Sequence, residues 1–144
     1  MDPGSREGLL RRRRPALKIL LDTCVLLWWL EDNPRLGARA KEFFRSEEES
    51  LLWSIASSWE IAIKVAKGQL RLAEPIASFL PRVLEEQRIS LLPITHTHVL
   101  RVSELPRHHG DPFDRILISQ AIEDRIPILT SDPDFADYEV ETIW

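Results

Sequence analysis

The sequence predicts a three-layer α/β/α domain with a mainly parallel five-stranded sheet, and three observations carry that prediction. Short apolar runs at 18–21, 51–53, 91–92, 128–130 and 140–143 alternate with longer stretches of helical periodicity. The stretches between them are long enough for right-handed crossovers. The first run, Ile19-Leu20-Leu21, is aliphatic without alternation, as a strand buried on both faces requires, and it stops at Asp22.

After the first strand, 23–31 is apolar nearly all round, with Val25, Leu26, Leu27, Trp28, Trp29 and Leu30. Such a helix has to be covered on more than one side, and a partner chain is the expected second cover. A second helix is expected over 36–48, with Leu36, Ala40, Phe43 and Phe44 on one stripe. The second strand leads into a helix over 54–67, which places Glu60 in its first turn and has Gly68 as its stop. Pro75 opens an amphipathic stretch that Pro81 is expected to kink or restart. Thr95 caps a short helix through Ser103, and Asp111-Pro112 opens a helix over 112–124 with proline at its first position.

At 144 residues the chain makes one domain that needs no disulfide or metal to hold a core. Cys24 is the only cysteine, so no internal bridge forms, and a reducing, cytoplasmic setting is expected. Residues 1–16, with the arginine block Arg11 to Arg14, read as a disordered basic leader ahead of a domain over 17–144. Lys18 and Asp22 interrupt the apolar stretch that follows, and the run from Cys24 to Leu30 falls far short of the ~20 residues of a membrane span. A net charge of −4 argues against a protein that holds nucleic acid by its overall field; basic patches or a bound cation have to do it locally.

Four acids fall on one rim. Asp22 ends the first strand, Glu60 lies in the helix after the second, Asp114 is in the first turn of the helix before the fourth, and Asp132 follows the fourth. With 23 acidic residues in the chain, finding four is easy, so their shared placement at strand ends and helix starts is what matters. Carboxylates gathered closely repel unless a cation sits among them, and a set of hard oxygens without cysteine or histidine selects Mg²⁺ or Mn²⁺. Such an ion activates water and stabilises in-line displacement at phosphorus, which implies phosphodiester hydrolysis. Bland readings compete: Ser57 to Glu60 is also a capping box, Asp111 to Asp114 a helix cap, and Asp132 a turn former. Asp22 has the least structural excuse. Arg115, Lys64 and Lys67 are the candidates for binding substrate phosphate, with an i,i+4 pair to Glu60 the equal alternative for Lys64.

The segments Leu20-Leu21-Asp22-Thr23, Ser58-Trp59-Glu60-Ile61-Ala62-Ile63-Lys64, His109-Gly110-Asp111-Pro112-Phe113-Asp114-Arg115 and Leu129-Thr130-Ser131-Asp132-Pro133 resemble the motifs of PIN-domain ribonucleases. Within that family they are most similar to VapC toxins of toxin–antitoxin systems, in order over residues 17–144. The resemblance implies a sheet of order 3-2-1-4-5 and an Mg²⁺- or Mn²⁺-dependent endoribonuclease. It also implies a VapB-type antitoxin that occludes the site, and a homodimer. By position, Asp22, Glu60, Asp114 and Asp132 match the family's acidic quartet, with Asp114 rather than Asp111 as the third acid and Thr130 as a support for the fourth.

Other site chemistries fail on particular residues. A haloacid dehalogenase phosphatase wants a second acid where this chain has Cys24, and a receiver domain wants an acid pair after the first strand. Nucleotide binding wants a glycine-rich turn. His96 and His98 have no partner at zinc spacing, and His108 and His109 are expected to be solvated in a loop. A non-catalytic protein-binding module on the same fold is the remaining alternative, with the acids as caps and Trp28 and Trp29 as its partner surface.

Overall fold

The structure, a computed structural model, describes residues 17–144, so the expected leader over 1–16 lies outside the described residues. The elements in chain order are β1 (Lys18–Leu21), α1 (Thr23–Leu30), α2 (Ala38–Arg45), β2 (Ser50–Ser54), α3 (Ile55–Ala66) and α4 (Ile76–Glu86). There follow β3 (Ser90–Leu92), α5 (His96–Arg101) with a 3₁₀ turn over Val102–Glu104, α6 (Pro112–Asp124), β4 (Ile128–Leu129), α7 (Pro133–Ala136) and β5 (Thr142–Ile143). The five strands form one sheet of order β3-β2-β1-β4-β5, and every pairing in it is parallel.

Central β1 is covered on both faces, and Ile19, Leu20 and Leu21 are fully buried, each stabilising the fold by roughly 1.5–3 kcal/mol. Ile19 and Leu21 face one core with Trp53, Ile61, Leu129 and Ile143, closed by α1, α2 and α4. Leu20 faces the other, with Leu117, Ile118, Ile128 and Phe135, closed by α6 and the segment after β4. The α/β/α architecture predicted from the sequence is therefore the one observed.

Several local expectations are corrected. Helix α1 is covered in part by its own chain: Trp29 stacks on Phe44 with centroids 4.8 Å apart and donates Nε1–H to Gln87 Oε1 at 2.8 Å. Trp28 meets Trp144 edge-on at 6.0 Å. Both tryptophans are therefore partly buried by the chain's own residues, while Leu30 at the end of α1 stays exposed beside half-buried Leu27 and Trp28, so this end of the helix is not covered internally. Helix α4 runs through Pro81 instead of restarting, since that proline costs one backbone bond while Leu80, Val83 and Leu84 stay buried. Gly68, just after α3, adopts φ +71°, the left-handed conformation that ends a helix at no steric cost.

Candidate active site

Strand order reverses direction at β1: the chain steps outward from β1 to β2 to β3, then crosses back to place β4 on the other side of β1. The crevice beyond the carboxyl ends of β1 and β4 is the topological switch point, where open α/β sheets bind ligands. Asp22 follows β1 directly, and Asp132 lies three residues past the end of β4.

Asp22 is at the start of α1 yet caps nothing with its side chain. Its backbone N–H donates to Leu129 O at 3.1 Å, and its Oδ2 accepts from Thr130 Oγ1 at 2.8 Å and from the Cys24 thiol at 3.7 Å. Only 6% of it is exposed. Burial pushes its pKa up, and the Thr130 bond draws it partly back. Thr130 Oγ1 also accepts from the Asp132 N–H at 3.0 Å, so one hydroxyl holds both acids. Asp132 Oδ1 caps α7 by accepting from Asp134 N at 2.9 Å, the bland role weighed for it, with Oδ2 left over.

Ser54, at the end of β2, is the true cap of α3, accepting from Ala56 N. The Ser57 capping box does not form, and Glu60 lies in the second turn. Ser57 instead accepts a bond from Thr23 Oγ1 at 2.8 Å, and Ser58 accepts from the Trp53 indole at 2.8 Å. Glu60 Oε2 pairs with Lys64 Nζ at 2.9 Å, the i,i+4 arrangement.

Asp111 caps α6, accepting from Phe113 N and Asp114 N. Asp114 is thereby free of capping duty, and its Oδ2 lies 3.2 Å from His109 Nε2. Its pKa is pushed up to about 8, first by burial and then by the like charges of Asp111, Asp22, Glu60 and Asp132. The other three predicted acids thus lie within the field of Asp114, with Asp111 as a fourth. Only Lys64 among the predicted phosphate binders is near enough to pair with any of them, and Lys67 is exposed at the end of α3.

Arg115 does not point outward. Its Nη1 donates to Pro106 O at 2.8 Å and to the Tyr138 hydroxyl at 3.1 Å, and its Nη2 to Val102 O at 3.2 Å. The guanidinium clamps the loop before α6. His109, expected to be solvated, is held between Asp114 and Tyr138. His98, likewise discounted, is buried and bonded to Asp124 Oδ1 at 3.0 Å.

Residues 19–141 match the PIN domain as a family. The chain belongs to the PIN-domain family. This PIN domain is 32% identical over 117 residues to Ribonuclease VapC22 of Mycobacterium tuberculosis, a match covering 79% of this chain and 86% of that one. Its fold is also similar to a chain in the crystal structure of VapBC2 from Rickettsia felis bound to a promoter DNA fragment, with a TM-score of 0.67 and 15% identity over 88% of this chain and 98% of that one. A further match is the crystal structure of FitAcB from Neisseria gonorrhoeae, with a TM-score of 0.61 and 20% identity over 88% and 96% of the two chains.

The donor set of this PIN domain suits a hard divalent ion, since it is made of carboxylate oxygens whose mutual repulsion burial makes worse. Among the described residues no three side chains of ligating type converge on one point in this arrangement. Mg²⁺ needs no such convergence: it usually keeps several waters and binds through one or two carboxylates, with substrate phosphate completing the shell.

Proposed function

We propose that this PIN domain is the toxin of a toxin–antitoxin pair and hydrolyses RNA phosphodiester bonds with the help of Mg²⁺ or Mn²⁺ bound through one or two carboxylates of the rim formed by Asp22, Glu60, Asp114 and Asp132. The observation that carries the reading is Asp114, a half-buried carboxyl pushed up to about 8 among four other acids at the switch point of the sheet. A structural site has no use for that repulsion. Kinship with a protein named as a ribonuclease supports the choice of substrate class.

When bound, the ion lowers the pKa of a water and neutralises charge that develops on phosphate. The chain's own residues do the rest. Thr130 fixes one oxygen of Asp22 and the backbone before Asp132, which orients two of the acids without using their free oxygens. Lys64 is drawn to Glu60, and its charge together with that of exposed Lys67 attracts the substrate backbone along α3. Arg115 serves by holding the 102–109 loop in place rather than by meeting phosphate.

The inhibitory partner in this reading is a VapB-type antitoxin, supported by fold neighbours whose structures are named as VapBC2 and FitAcB. A homodimer belongs to the same reading. The exposed large apolar side chains include Leu30 on α1, Ile55 and Trp59 on α3, Leu91 on β3, and Val99 and Leu100 on α5, and of these Trp59 and Leu100 are the most exposed. Among the described residues no helix is long and apolar enough to cross a membrane, and a cytoplasmic site of action follows from the toxin role.

The test is incubation of purified protein with tRNA in Mg²⁺ or Mn²⁺. Cleavage that EDTA stops and added ion restores is expected. Cleavage that persists in EDTA contradicts the metal role, and ion-dependent cleavage that survives Asp22→Asn contradicts the site.

A further inference from the structure

The geometry points to His109 as a positioning residue that aims the carboxylate of Asp114, through a chain of hydrogen bonds whose direction is set by Arg115. This inference rests on the reading of Asp114 as a ligand. Three links make the chain: Arg115 Nη1 to the Tyr138 hydroxyl at 3.1 Å, that hydroxyl to His109 Nδ1 at 2.7 Å, and His109 Nε2 to Asp114 Oδ2 at 3.2 Å.

With Asp114 ionised, as it is at alkaline pH or with a cation bound, chemistry fixes the direction of each link. A guanidinium has only donors, so Arg115 donates to the Tyr138 oxygen. The His109 backbone N–H donates to the same oxygen at 3.4 Å. Tyr138 has a single proton of its own, and the acceptor it faces is His109 Nδ1. A neutral imidazole that accepts at Nδ1 carries its proton on Nε2, and Nε2 is the atom that faces Asp114.

The relay therefore presents an N–H to Oδ2 and leaves Oδ1 of Asp114 for other work. Its parts are well anchored. Tyr138 is buried in the core formed by α6 and the segment after β4, and the Arg115 guanidinium is pinned by carbonyls at Val102, Leu105 and Pro106. Outer hydrogen bonds of this kind orient ligating side chains, and losing one typically weakens metal binding ~10–100-fold.

Tautomer and ion binding are measured separately. In ¹⁵N-histidine-labelled full-length protein without metal at alkaline pH, NMR is expected to show His109 with its proton on Nε2, and Tyr138→Phe is expected to release it to a mixture of tautomers. Calorimetric Mn²⁺ titration is expected to show His109→Ala weakened by ~10–100-fold, with His109→Gln, whose amide N–H reaches the Nε2 position, restoring most of the affinity. A proton on Nδ1, or a tautomer indifferent to Tyr138→Phe, overturns the relay. Equal Mn²⁺ affinity in wild type and His109→Ala overturns the positioning role alone. Wild-type protein that shows the Nε2–H tautomer yet binds no Mn²⁺ overturns the metal reading, and the positioning role with it.

Discussion

Thr130 Oγ1 donates to Asp22 Oδ2 at 2.8 Å, joining two residues that stand 108 positions apart in the chain. The same hydroxyl accepts from the Asp132 N–H, so the ends of the two strands flanking the switch point are tied through one side chain. Valine in place of Thr130 keeps the shape and removes both bonds, leaving a buried carboxylate short of a donor. Chemical denaturation of Thr130→Val is expected to show a loss of about 1–3 kcal/mol, with Mn²⁺ affinity falling alongside it. Unchanged values of both would remove Thr130 from the account.

Stability without metal is expected to depend on pH in a direction set by Asp114. Its folded pKa is raised to about 8, against an unfolded value of about 4, so between these limits the folded state binds more protons. Its contribution is fully present below about pH 4 and is lost as pH rises toward about 8. Asp22 is shifted the same way by burial. Thermal melts in EDTA are expected to move down from pH 5 to pH 8, and Asp114→Asn to flatten that slope. A slope that rises in this interval in wild type and is unaffected by Asp114→Asn would contradict the electrostatic description.

Activity and stability are expected to part company at the acids. Asp22→Asn and Asp114→Asn are each expected to cut the rate of RNA cleavage by about 10²-fold or more, while melting points in EDTA hold level or rise because a like charge is gone. The binding-module alternative predicts no metal-dependent activity and no functional loss from Asp22→Asn. Paired kinetics and thermal melts on the two variants separate the readings.

Much of this was legible in the sequence because the signals were local. Ile19-Leu20-Leu21 announced a central strand, and Asp111-Pro112 announced the start of α6 to the residue. What escaped was set by distant partners. Ser54 and Ser57 are both candidates to cap a helix on paper, and only Thr23 decides that the second is spent elsewhere. The cover that Phe44, Gln87 and Trp144 give the tryptophans of α1 was not legible, because those residues come from far along the sequence. His109 looked solvated because Tyr138, 29 residues on, carries no sequence signal of proximity.

The exposed apolar side chains of α3 and α5 lead to an expectation about assembly. Trp59 is 61% exposed, with its ring edge-on to Phe113 at 5.2 Å. Light scattering is expected to give a dimer for the wild type and a monomer for the double variant Trp59→Lys, Val99→Glu, with the circular dichroism spectrum preserved. A dimer that persists in the double variant would place the interface elsewhere.

The shared ion is tested most directly by calorimetric titration of Mn²⁺ into metal-free protein at pH 7 in buffers of different ionisation enthalpy. With Asp114 raised to about 8, most of its carboxyl carries a proton at that pH, and binding must release it. The account predicts a binding heat that varies with the buffer, equivalent to somewhat less than about one proton released per ion, with that dependence lost in Asp114→Asn. Absence of binding, or a binding heat that is the same in every buffer, would contradict it.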